Sequence, residues 1–174
     1  MADLRNKLLG SVVVATPEDS AAFFKNGVHD RWGETLTGED SPIPGKTLVY
    51  VNDGKFVKHG AAEDYRDKAV LGEALHMLKA VDPDRWNRMR LSALKSPEYL
   101  NWTKNSYQRS VAEGEKRPFE KWHDVSRFDQ VIGGYLFAKD PAFPSMADWS
   151  RTDMPYGKEL VKELEQLRKD LDIE

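Results

Sequence analysis

The sequence predicts an α+β fold that is mostly α, with five to six helices, a small β-hairpin and an irregular N-terminal region. Three observations carry this. Apolar residues recur at helical spacing through most of the chain after residue 61. One β-type run, Thr47 to Val51, is followed by Asn52-Asp53-Gly54 and a second short run, Lys55 to Lys58, the pattern of a tight hairpin. Between residues 28 and 46, Gly33, Gly38, Pro42, Pro44 and Gly45 interrupt any regular period. The chain has 174 residues with five Trp, six Tyr and seven Phe, enough to build one core. Residues 1–46 read as an irregular region with a short helix, a candidate interaction arm; residues 47–174 read as a helical domain with the hairpin.

Taken in order, residues 1–15 hold a short helix and then the β-type run Val12-Val13-Val14. Thr16-Pro17-Glu18-Asp19 joins a cap residue, a Pro and two acids, a helix start that Asn26-Gly27 stops. From Ala61 to Ala80 a helix is expected with Tyr65, Ala69, Leu71, Ala74, Leu75 and Leu78 on one face. Asp82-Pro83 and Ser96-Pro97-Glu98 start two more. The first holds Trp86, Met89 and Leu94; the second holds Tyr99, Leu100, Trp102, Tyr107 and Val111 and ends at Gly114.

Ser126, with Asp129 three residues later, has capping-box spacing and marks the start of the next helix, which Asp140-Pro141 stops. Inside it lies Gly133-Gly134, where each Gly costs about 1 kcal/mol relative to Ala. The pair therefore predicts close backbone approach, with the helix around Ala69 to Leu78 as the expected neighbour. Residues 141–155 form an ordered loop pinned by Phe143, Met146 and Trp149. The last helix, from about Tyr156, carries Leu160, Leu164, Leu167 and Leu171 at spacings of four, three and four, a stripe expected to dock on the body of the protein.

Composition narrows the function classes. There is no Cys, which excludes disulfides, thiolate catalysis and Cys-based zinc sites. The net charge of −3 argues against a dominant attraction to nucleic acid. It is unevenly spread: Asp84 to Arg127 holds ten Lys or Arg against six Asp or Glu, so this segment carries +4 and the remainder −7. The apolar run Ser11 to Ala15 is too short for a signal-peptide core or a membrane span, so no membrane association and no signal-peptide secretion are expected.

Candidate chemistry is sparse. Glu73 and His76 share a helix face at i, i+3. This is half of a di-iron carboxylate pattern, which also needs further Glu from other helices, so no metal and no cofactor are assigned. His123-Asp124 and His29-Asp30 each set an imidazole beside a carboxylate, as a base requires, but such pairs also occur exposed at helix entrances. No G-x-S-x-G, P-loop or G-x-G-x-x-G is present. Glu73, His76, His123 and Asp124 are thus the catalytic candidates, with no committed catalytic set. Arg85, Arg88 and Arg90, interleaved with Trp86 and Met89, together with Lys104, Arg109, Lys116 and Arg117 are candidates for a nucleic-acid patch, with Arg85, Arg88, Lys104 and Arg109 foremost, which the acidic whole disfavours.

A resemblance adds a setting. Tyr65-Arg66-Asp67-Lys68 with Gly72-Glu73-Ala74-Leu75-His76, then Arg117-Pro118-Phe119-Glu120-Lys121-Trp122, then Ser126 to Tyr135, and finally Asp148-Trp149-Ser150-Arg151 with Pro155-Tyr156-Gly157, resemble uncharacterised proteins of tailed bacteriophages and prophages. Similar modules occur in large phage polyvalent proteins. The resemblance covers about residues 47–172 and carries over no catalytic residue. It implies a phage protein located in the virion or the host cytoplasm. The leading expectation is a non-enzymatic structural or interaction protein, virion-associated, that binds other phage proteins such as capsid or tail components, with homo-oligomerisation left open. The alternative is a small phage hydrolase, active on the cell wall and using Glu73. A nucleic-acid-binding accessory protein is the third.

Overall fold

A computed structural model describes residues 3–16, 22, 33–36, 40–60, 64–140, 143, 146 and 148–173. The fold is α+β and mostly helical, with a small three-stranded sheet. The first helix, α1 (Asp3–Gly10), leads into β1 (Val12–Val14). Strands β2 (Gly33–Leu36) and β3 (Thr47–Val51) complete the sheet, in the order β1-β3-β2. β1 runs parallel to β3 with Val13 opposite Leu48, and β2 runs antiparallel to it with Thr35 opposite Val49. β1 is the β-type run expected at Val12–Val14, whereas β2 comes from residues expected to be irregular. Leu8 of α1 is fully buried in the main core.

The expected hairpin is corrected. Asp53–Lys58 is a helix, α2. Both edges of β3 are already paired, so no ladder is open to a return strand. Asn52 accepts a hydrogen bond from the Lys55 amide at 3.1 Å, so the same Asn that suits a turn here caps a helix. Phe56, the buried residue of α2, stacks on Tyr65 at 5.0 Å. The strand's two faces separate two cores. Val49 and Val51 face the helices, while Leu48 and Tyr50 join Ala15, Val13, Leu36 and Ile43 on the other side.

The helical body follows. α3 spans 65–81: an α-helix Tyr65–Ala74, a 3-10 turn Leu75–Met77 and a final turn Leu78–Val81. α4 (Pro83–Lys95) and α5 (Pro97–Ala112) begin where expected, with Asp82 and Ser96 accepting from the amides of Arg85 and Tyr99. α6 spans 119–136 and α7 is Lys158–Asp170. Among the described residues this makes seven helices rather than five or six. The stripe of Leu160, Leu164, Leu167 and Leu171 is fully buried in the main core, as expected of a helix docked on the body. The helix expected from Thr16 to Asn26 lies largely outside the described residues, as does His29-Asp30.

α6 departs from expectation at both ends. Ser126 does not start it. The helix begins at Phe119 and passes through a π-turn, His123–Arg127, before resuming at Phe128, and Ser126 sits inside that turn with no capping bond there. The paired glycines also separate. A Cβ on Gly134 would lie within 2.7 Å of three atoms of the Trp149 ring, so the close approach is real but the neighbour is a loop indole, not α3. Among the described residues, a Cβ on Gly133 would meet nothing within 4 Å.

Candidate functional site

Glu73 ends the regular part of α3, and His76 follows in its 3-10 turn. β2 lies against this stretch. A Cβ on Gly33 would stand 2.8 Å from the Glu73 carboxyl carbon, so only a bare glycine lets the carboxylate lie on the strand backbone. One pleat further, the Thr35 hydroxyl donates to Glu73 Oε2 at 2.6 Å. Glu73 Oε2 lies 3.8 Å from His76 Nε2, and His76 Nδ1 lies 3.1 Å from Asp129 Oδ2 on α6. Asp129 Oδ1 in turn receives the Trp86 indole N–H of α4 at 3.5 Å. Three elements, β2, α3 and α6, therefore build one relay, Thr35–Glu73–His76–Asp129, which Trp86 of α4 adjoins. Asp129 is not a cap; its carboxylate orients the imidazole.

Two hollows adjoin this relay, and Gly33, Glu73, His76, Asp129 and Gln130 line both. The inner one, about 440 Å³, is walled by Val51, Phe56, Leu75, Phe137, Phe143 and Met146, with Gly72 and Gly133. The outer one, about 590 Å³, adds Glu34, Thr35, Lys79, Trp86, Asp124 and Val125. An apolar chamber joined to a polar cleft by a few convergent titratable groups is the usual form of a small-molecule site.

Burial raises the Glu73 carboxyl above its ordinary value. The Thr35 hydrogen bond and the His76 charge act against this, and Glu34 adds to it. Burial alone would lower His76. The Asp129 hydrogen bond and the charges of Glu73, Asp129 and Glu34 outweigh it, and its value also rises. Both groups therefore favour holding a proton. Each raised group contributes stability that is complete below its ordinary pKa, 4.5 for the carboxyl and 6.5 for the imidazole, and that is lost as pH rises through the folded value. His76→Asn is accordingly expected to cost more stability near about pH 5.5 than near about pH 9. Urea midpoints of both proteins at the two pH values check this; equal costs would show that the imidazole gains no proton affinity on folding.

The other candidates are placed differently. His123 is not at an exposed helix entrance but fully buried. Its Nε2 meets the Tyr99 hydroxyl at 2.9 Å and its Nδ1 meets Asp124 Oδ1 at 3.1 Å, while Arg90 Nε donates to that same carboxylate oxygen at 2.5 Å. Burial lowers the His123 pKa despite Asp124, and the ring stacks on Phe128 at 5.2 Å. This imidazole is a satisfied core group. Asp124 lines the outer cleft as well.

Arg85 pairs with Asp82 at 3.2 Å and with Asp170 at 2.6 Å, and Arg88 reaches Glu163 at 3.8 Å. These two arginines tie α4 to α7, whereas Lys104 and Arg109 are exposed on α5. Among the described residues, no group of three His, Asp or Glu is arranged to hold a metal ion, and no helix is long and apolar enough to cross a membrane.

Sequence reasoning found Glu73 and His76 but missed Thr35, Asp129 and Gly33. Gly33 and Thr35 belong to a strand without apolar alternation, and Asp129 was indistinguishable from a capping acid. The chain matches no family model, no curated protein and no solved structure.

Proposed function

We propose that the protein is a small hydrolase of phage setting, working by general acid–base catalysis in the Glu73 cleft. One observation carries the reading. Glu73 is a carboxyl of raised pKa that lines both an apolar chamber and an outer cleft, and it stands 3.8 Å from an imidazole oriented by Asp129. Such a carboxyl holds its proton to a higher pH than an ordinary one and can give it to a leaving group. His76, 3.8 Å away, stabilises the Glu73 carboxylate left by that transfer, which takes its proton back from the water that attacks the substrate. Asp129 acts through His76 as a positioning residue, and Thr35 fixes the carboxyl rotamer. Besides Glu73, which favours its protonated form, three carboxylates, Glu34, Asp124 and Asp129, line the outer cleft beside His76 and Lys79. That balance favours a neutral or cationic substrate over a phosphate-bearing one.

Glu73→Gln keeps the shape and removes the proton. It is expected to lower turnover about 10²–10⁴-fold with an unchanged circular-dichroism spectrum. The assay takes cell-wall peptidoglycan and neutral or cationic chromogenic glycosides, esters and amides. Glu73-independent turnover, or none on any of these, would overturn the reading.

A second reading is a non-enzymatic structural or interaction protein of the virion. The resemblance over residues 47–172 supports it. Mass spectrometry of purified particles tests it; a protein absent from them is not a virion component.

A further inference from the structure

We propose that the inner chamber is the receptor for the apolar body of a neutral or cationic ligand, and that Gly133 is the residue that leaves room for it. This rests on reading the Glu73 cleft as a binding site.

Gly133 is in the interior of a helix, where Gly costs about 1 kcal/mol relative to Ala. Neither of the usual reasons for a Gly applies. Its φ is not positive, and among the described residues a Cβ there would meet nothing within 4 Å. Its neighbour Gly134 has a packing reason, the Trp149 ring, and so does Gly72 on the same chamber wall, whose Cβ would lie 3.1 Å from Phe143. Of the glycines described on the chamber wall, Gly33, Gly72 and Gly133, only Gly133 opens onto space, and that space is the chamber. A side chain there would be accommodated by the fold and would fill the hollow.

The chamber's volume of about 440 Å³ lies within the span of ligand pockets, roughly 300–1,000 Å³. Phe56, Phe137, Phe143 and Met146 suit an aromatic or branched aliphatic body. Glu73, His76 and Asp129 stand where such a body would carry its polar end. The carboxylate of Asp129, with that of Glu34 in the adjoining cleft, calls for a donor group there, an amine or a hydroxyl, and disfavours an acid.

The test titrates the full-length protein with 2-phenylethylamine, followed by amide NMR shifts, with phenylacetate as the charge-reversed control. Saturable shifts at chamber residues are expected for the amine, at least tenfold weaker for phenylacetate. Gly133→Leu is expected to weaken amine binding at least tenfold. Gly133→Ala, which adds one methyl, is expected to fold, to raise the unfolding midpoint and to weaken binding several-fold. No saturable shifts in the parent protein, or undiminished binding by the Gly133 variants, would overturn the proposal; if Gly133→Leu does not fold, Gly133→Ala alone decides. Two results separate it from the hydrolase reading. Glu73-dependent turnover with a KM indifferent to Gly133→Ala would sink the chamber and keep the hydrolase. Gly133-dependent binding without turnover would do the reverse.

Discussion

Phe128→Ala is expected to destabilise the protein by about 3–5 kcal/mol, a large part of the roughly 5–15 kcal/mol that holds a domain folded. Phe128 is fully buried at the point where the π-turn hands over to regular helix. Its ring meets the Trp86 indole edge-on at 5.5 Å and stacks on His123 at 5.2 Å. Truncation removes the hydrophobic transfer energy and opens a void between α4 and α6. It also uncovers an imidazole whose two nitrogens are committed to Tyr99 and Asp124, which limits how far that wall can collapse. Urea unfolding followed by tryptophan fluorescence measures the change. A loss below about 1 kcal/mol would mean that the site collapses freely and that Phe128 is not a keystone of the helical packing.

Gly134→Ala is expected to cost roughly 1–3 kcal/mol, although alanine is the better helix former by about 1 kcal/mol. The added methyl would fall within 2.7 Å of three Trp149 ring atoms. That indole is not a loose end that can step aside: it packs edge-on against Trp102 of α5 at 6.2 Å, so relief must displace the loop or α5. The same substitution one residue earlier is expected to stabilise. Opposite signs at adjacent positions are the signature of one glycine kept for packing and one kept for space. Thermal melts of the two variants beside the parent protein check it; equal shifts at both positions would mean that helix propensity alone governs the pair.

How far the chain could be read follows from the range of each interaction. Asp82-Pro83 and Ser96-Pro97-Glu98 announce helices because a cap and a Pro at the first position act within one turn. The stripe Leu160, Leu164, Leu167, Leu171 announces a buried face because helical period is local. Asn52-Asp53-Gly54 misled because its chemistry suits both a tight turn and a helix start. The decision came from β1 and β2, which lie far away in sequence and close both edges of β3. Of the candidate site, Glu73 and His76 were visible as a helical pair, and nothing local distinguished them from two half-exposed polar groups.

The sequence by itself determined the helical body, the β character of Val12–Val14 and Thr47–Val51, and the Glu73–His76 pairing, all of which depend on residues within about one helical turn of each other. Only the tertiary structure decided the rest. It enlisted Gly33–Leu36 as a strand, set Thr35 against Glu73 across 38 residues of chain, and drew Asp129 from a cap position onto His76 across 53. It also split Gly133 from Gly134, one facing a hollow and one facing an indole. The physical reason is the same in each case: a polar side chain or a glycine has several local uses, and which one applies depends on the surface that packing brings to it.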